Sequence, residues 1–148
     1  RDLSSITTTI MASQKAVIKL YYDVASPYSW LAFEALTRYQ QIWDANFEFK
    51  PFFLGGVMKT TGNRPPATVP AKGAHGTIDL QRMAEYFDVP LVQPKDFQRA
   101  IMTSLPAQRL LTAARVDCPD FLVPLTRELW RRNWGRDQDI ASAESLLE

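Results

Sequence analysis

The chain is poor in the residues that build disulfides and metal sites, since its 148 residues include one cysteine, Cys118, and one histidine, His75. A single cysteine excludes an internal disulfide and fits a reducing compartment. One cysteine and one histidine also cannot supply the usual Cys/His ligands of a structural zinc site. We therefore expect no bound metal.

An excess of one charge and a long apolar run are missing as well. The 17 Lys and Arg residues face 16 Asp and Glu residues, so no strong field attracts nucleic acid or an anionic membrane. No apolar run reaches the roughly 20 residues that a membrane-spanning helix needs. We expect neither nucleic acid nor a membrane as a partner, and the length and apolar content favour one domain with a real core.

Both ends of the chain predict a partial sequence. Residues 1–13 begin without methionine and are rich in serine and threonine, which gives weak support for a transit peptide and favours a disordered lead. Residues 143–148 stop within a helical pattern. We expect the chain to be a fragment of a longer protein.

Three successive patterns predict a strand–helix–strand unit. Residues 16–22 form a short apolar run typical of an interior strand. Over residues 28–43 the apolar positions recur every three or four residues, which indicates an amphipathic helix. Residues 47–50 alternate between apolar and charged, and the apolar residues 52–54 continue a second strand that Pro51 interrupts. Two parallel strands joined by a crossover follow, with the helix start at the carboxyl end of the first strand, where α/β sheets bind ligands.

The rest of the chain predicts helices alone. Gly55 and Gly56 end the first unit, residues 14–56, and Gly-Asn and Pro-Pro steps then indicate a long functional loop over residues 57–76. Residues 77–148 carry helical periodicity and no further strand. Because two parallel strands do not make a self-sufficient sheet, we interpret 77–148 as a helical domain inserted into an α/β fold.

The most informative motif lies where the first strand meets the helix. Pro27 suits the first helical position, so Ser26 falls at the N-cap beside free backbone N–H groups and the positive end of the helix dipole. Ser26 and Ser29 occupy the positions of the two cysteines in the Cys-x-x-Cys centre of thioredoxin-like proteins. Hydroxyls cannot exchange disulfides, which argues against a dithiol oxidoreductase, but they can hydrogen-bond a thiolate. An ordinary helix cap is the alternative.

Further motifs follow in order along the chain. They are Tyr22-Asp23-Val24, Ser26-Pro27-Tyr28-Ser29-Trp30, Arg38-Tyr39-Gln40, Met58-Lys59, Gly62-Asn63, Pro65-Pro66, Lys72-Gly73, Pro94-Lys95-Asp96-Phe97, Thr112-Ala113, Arg127-Glu128-Leu129-Trp130 and Asp139-Ile140. With this ordered set, the chain from about Val17 to Glu148 resembles the kappa-class glutathione transferases. The resemblance implies a thioredoxin-like β-α-β unit followed by an inserted all-α domain, with the C-terminal half of the thioredoxin fold missing.

The resemblance also implies a function. Ser26 would hold the sulfur of glutathione as a thiolate for conjugation to small electrophiles, as in detoxification. Ser26, Pro27 and Tyr28 would line the thiol end, Asn63 would bind the tripeptide and Lys72 would lie near it. Glutathione would be the co-substrate, without a metal. The full-length protein would be a homodimer in mitochondria, with peroxisomes as the second candidate.

Each of these assignments has a simpler alternative. Asn63 also suits a turn, Lys72 a solvated surface, and Tyr28 a helix face. The helically spaced Trp130 and Trp134 favour packing over binding. At the level of function, the alternatives are the glutathione-dependent isomerase of 2-hydroxychromene-2-carboxylate and an inactive, truncated glutathione-binding fragment.

Overall fold

The computed structural model describes residues 15–147, and its sheet consists of two parallel strands. Strand β1 spans Ala16–Tyr22, strand β2 spans Ala45–Pro51, and helix α1, Pro27–Tyr39, connects them. The predicted strand–helix–strand unit is therefore confirmed. The predicted disordered lead, residues 1–13, lies outside the described residues.

After β2, the regular elements of the described chain are all helical, as predicted for residues 77–148. The α-helices are α2 (Leu54–Thr61), α3 (Pro70–Phe87), α4 (Phe97–Met102), α5 (Leu105–Asp117), α6 (Leu122–Trp130) and α7 (Ala143–Leu147). Two 3₁₀ turns, Pro66–Thr68 and Pro119–Phe121, and a π-helical turn, Arg131–Gly135, lie between them.

The prediction of a long loop over residues 57–76 is wrong, because helices α2 and α3 occupy most of that segment. Helix α2 begins at Leu54 and runs through the glycine pair that was expected to end the first unit. It ends at Gly62, whose φ of 72° is a left-handed conformation that glycine adopts without strain. Helix α3 then begins at Pro70, since proline fits the first helical position. These glycine and proline residues mark helix ends and starts.

One aromatic cluster joins the sheet to the helical part. Tyr22 of β1, Trp30 and Phe33 of α1, and Trp130 of α6 are fully buried. The ring centroid of Trp130 lies 5.0 Å from that of Phe33 and 5.2 Å from that of Tyr22. The Tyr22 hydroxyl also forms a 2.7 Å hydrogen bond with Oγ1 of Thr126. Because aromatic burial is a large favourable contribution, this cluster fixes α6 against the strand–helix–strand unit.

Candidate functional site

Ser26 is the N-cap of α1 and Pro27 is the first residue of that helix, as predicted. The Ser26 backbone is extended, and its Oγ accepts a hydrogen bond from the Ser29 N–H at 3.2 Å. This bond uses a lone pair of Oγ, and the hydroxyl hydrogen has no acceptor among the described residues. Ser26 can therefore donate that hydrogen to an anion at the positive end of the helix.

Side chains from the helical part hold the turn that carries Ser26. Nε1 of Trp130 donates to the Ser26 carbonyl oxygen at 3.3 Å, and Nε1 of Trp134 donates to the Val24 carbonyl oxygen at 3.0 Å. Nδ2 of Asn133 donates to the same Val24 oxygen at 3.3 Å. Both tryptophans are fully buried, which confirms that the pair serves packing. Their N–H groups additionally fix the backbone on either side of the cap.

Asp23, which directly follows β1, is a buried residue of this region to which sequence reasoning gave no role. Its side chain is 1% exposed. Oδ1 accepts from the Ala25 N–H at 2.9 Å, and Oδ2 accepts from the Leu54 N–H at 2.8 Å. Burial raises the pKa of this carboxyl above its ordinary value, although these bonds and one with the Ser104 side chain act in the opposite direction. A charged residue between a largely apolar strand sequence and a Ser-Pro step was the available signal.

A cavity of about 750 Å³ opens beside the start of α1. All five residues predicted for the site line it, namely Ser26, Pro27, Tyr28, Asn63 and Lys72. The rest of the lining is mostly apolar and comes from α2, the 3₁₀ turn at residues 66–68, α3 and α4. The structure therefore brings residues from distant parts of the chain to one cavity.

Asn63 and Lys72 line the cavity and also have the properties of a turn residue and of an exposed surface residue, respectively. Asn63 is exposed directly after α2, and its Oδ1 accepts from the Arg64 N–H at 2.9 Å, as suits a turn residue. Lys72 is an exposed residue in the first turn of α3. Both side chains are accessible to a ligand because neither is buried.

Tyr28 connects the start of α1 to α3. Its hydroxyl donates to Oδ2 of Asp79 at 2.6 Å. Burial, the hydrogen bond to Asp79 and the charge of Asp79 together raise the pKa of Tyr28 to about 12. Tyr28 is therefore protonated at neutral pH, and its hydroxyl hydrogen is directed toward α3.

Among the described residues that line the cavity, two side chains are basic, Lys72 and His75, and none is a carboxylate. This balance favours an anionic ligand. Among residues 15–147, no group of three or more His, Cys, Asp or Glu side chains is placed to hold a metal ion. No helix in the same range is long and apolar enough to cross a membrane.

Comparison with protein families finds that residues 17–148 match the DsbA-like thioredoxin domain. The match covers nearly the whole described chain, including β1, the Ser26 turn and the helical part.

Two similar proteins are named glutathione S-transferase kappa 1. The Homo sapiens protein is 43% identical over 132 residues, covering 88% of this chain and 58% of that protein. The Rattus norvegicus protein is 42% identical over 139 residues, covering 93% of this chain and 62% of that protein. The chain thus spans about three fifths of the length of these relatives.

A solved structure of 2-hydroxychromene-2-carboxylate isomerase shares the fold. Its TM-score is 0.64 at 21% sequence identity, and the match covers 82% of this chain and 58% of that one. Together with the family match, this likeness confirms the predicted thioredoxin-like fold with additional helices.

Proposed function

This chain belongs to the family of DsbA-like thioredoxin domains, and from that membership and the geometry at Ser26 we propose that it carries the thiol-binding part of a glutathione transferase. In this proposal Ser26 stabilises the thiolate of glutathione, which attacks a small electrophile. The kappa-class relatives, with 42–43% identity over most of the chain, support the choice of glutathione.

The observation that carries the proposal is the hydroxyl of Ser26, which lines the cavity at a helix start and donates to no acceptor among residues 15–147. A free thiol has a pKa of about 8.5, so half ionisation at pH 7 requires a shift of about 1.5 units, or roughly 2 kcal/mol. A hydrogen bond to a charged group contributes about 1.5–3 kcal/mol and a helix terminus about 0.3–1 kcal/mol. These two contributions suffice, so Ser26 acts as a donor and no general base is needed.

The lining of the cavity supports both substrates. Glutathione carries two carboxylates, and the described part of the lining offers Lys72 and His75 with no acidic side chain beside them. The apolar residues Leu54, Met58 and Phe97 provide a surface for an apolar electrophile. Asn63 and Lys72 would bind the tripeptide, with Pro27 and Tyr28 beside its thiol end.

The substitution Ser26→Ala tests the role of the hydroxyl. We expect conjugation of glutathione to a chromogenic electrophile by the intact protein to fall about 10- to 100-fold, because one hydrogen bond to a charge is lost. Ser29→Ala is the matched control, since Ser29 lies one helical turn further on, is absent from the cavity lining and keeps the N–H that Ser26 accepts. Normal turnover by Ser26→Ala would refute the assignment.

Isomerisation of 2-hydroxychromene-2-carboxylate is the second candidate, because the fold is shared with that isomerase. Both reactions use the same thiolate, so assays of the intact protein with each substrate separate them.

The remaining alternative is an inactive fragment. A calorimetric titration of residues 1–148 with glutathione tests it, because an inactive fragment would bind glutathione weakly or not at all. The homodimer and the mitochondrial or peroxisomal location stay predictions from the resemblance.

A further inference from the structure

We propose that Asp23 is a positioning residue that ties the wall of the cavity carrying Asn63 to the turn carrying Ser26. The proposal rests on the proposed function for its ligand, glutathione. Asp23 does not line the cavity and therefore acts through other residues.

The carboxylate of Asp23 joins two segments that are far apart in sequence. Oδ1 accepts a hydrogen bond from the N–H of Ala25, the residue before Ser26, at 2.9 Å. The backbone carbonyl oxygen of Asp23 accepts from the Ser26 N–H, also at 2.9 Å. Oδ2 accepts a hydrogen bond from the N–H of Leu54, the first residue of α2, at 2.8 Å. One residue thus holds both the N-cap of α1 and the start of α2.

Helix α2 depends on Asp23 for its N-terminal cap. The N-cap residue of α2 is Phe53, which has no side-chain oxygen and forms no capping bond. A carboxylate at this end satisfies a backbone N–H and interacts favourably with the helix dipole. Because α2 carries Met58 and leads through Gly62 into Asn63, the position of its first turn sets where Asn63 stands relative to Ser26.

Hydrogen bonds alone compensate this buried carboxylate. Asp23 forms no ion pair within the described part of the chain. Its third partner is the side chain of Ser104, which is 1% exposed. Ser104 is the N-cap residue of α5, but its side chain forms no capping hydrogen bond there. An amide in place of the carboxylate keeps one acceptor and turns an N–H donor toward one of the two backbone N–H groups. Asp23→Asn therefore breaks one of the two links, either to the turn at Ala25 or to α2, with minimal change in volume.

The experiment measures glutathione affinity of the intact protein by calorimetry for Asp23→Asn. We expect the dissociation constant to rise about tenfold or more, since displaced binding groups lose their contacts. Asp139→Asn is the matched control, because the Asp139 carboxylate also accepts two backbone N–H bonds, from Ala141 at 3.1 Å and Ser142 at 2.9 Å, and does not line the cavity. Its affinity should stay within about twofold of wild type.

A double-variant cycle with Asn63→Ala separates positioning from general destabilisation. If Asp23 acts through the α2 wall, the double variant loses no more affinity than Asp23→Asn alone, whereas purely additive losses would overturn the proposal. Should Asp23→Asn fail to fold, Ser104→Ala removes only one bond to the same carboxylate, and we expect a smaller loss in the same direction. Unchanged affinity in both Asp23→Asn and Ser104→Ala would also overturn it.

Backbone hydrogen exchange gives a readout that does not need glutathione. We expect the Leu54 N–H to lose protection in Asp23→Ala, which removes both acceptors, while amides of α5 stay protected. If the wild-type protein binds no glutathione but Leu54 loses protection as expected, the proposed function fails and the link between the two walls stands. If the wild-type protein binds glutathione and Leu54 stays protected, the role of Asp23 fails alone.

Discussion

The hydroxyl groups of Ser26 and Tyr28 lie at the same helix start but differ in where their hydrogens point. The Tyr28 hydroxyl donates to Asp79 at 2.6 Å, and with a pKa of about 12 it stays protonated. The Ser26 oxygen accepts from Ser29, and its own hydrogen is unused among the described residues. Of these two hydroxyls, only Ser26 is therefore free to donate to a thiolate.

Tyr28→Phe tests this division between the two hydroxyls. We expect the thiol pKa of bound glutathione to stay unchanged, because the Tyr28 hydrogen is already held by Asp79. Ser26→Ala should instead raise that pKa by about 1–2 units through loss of a charged hydrogen bond. Ultraviolet absorbance of the thiolate, followed against pH in the intact protein, measures both. A similar rise in Tyr28→Phe would place Tyr28 among the donors.

Helix α2 shows how one short element combines local and distant determinants. Its C-terminal end is local, because Gly62 adopts a left-handed conformation directly before Asn63. Its N-terminal end is distant, because the Leu54 N–H is capped by Asp23, 31 residues earlier. A wall of the cavity is thus formed by an eight-residue helix that is too short to be stable alone.

Gly62→Ala and Gly76→Ala form a matched pair that tests the end of α2. A Cβ at either position meets nothing within 4 Å, so the two sites differ in backbone conformation. Gly62 has φ of 72°, and alanine there should lower the free energy of unfolding by about 1 kcal/mol. Gly76 lies within helix α3, and alanine there should raise it by about 0.5–1 kcal/mol. Urea denaturation measures both, and equal signs would contradict the assigned conformations.

Across the whole molecule, the features that the sequence predicted correctly depend on neighbouring residues. The Ser26 cap, helix α1 and both strands follow from local spacing, and all five predicted site residues meet at one cavity. The misassigned segment, residues 57–76, includes most of α2, whose first N–H is bonded to Asp23, the residue after β1. The bond between Tyr28 and Asp79 joins residues 51 positions apart, and local periodicity contains no information about such a pair.

Two carboxylates give the stability of the molecule opposite dependences on pH. Burial raises the pKa of Asp23 in the folded state above its ordinary value. The contribution of this carboxyl to the free energy of unfolding is therefore fully present below the ordinary pKa and is lost as pH rises through the folded pKa. For Asp139, burial acts upward, but hydrogen bonds led by those from Ser142 lower the pKa overall. Its contribution is therefore present above the ordinary pKa and is lost as pH falls through the folded value.

Urea denaturation of the wild-type protein, Asp23→Asn and Asp139→Asn between about pH 3 and pH 7 measures these contributions. Because asparagine does not titrate, the difference between wild type and each variant isolates one carboxyl. We expect the free energy of unfolding of wild type relative to Asp23→Asn to fall as pH rises, and relative to Asp139→Asn to increase. Slopes of the same sign would show that hydrogen bonding outweighs burial at Asp23, so that its carboxylate would be the favoured form in the folded protein.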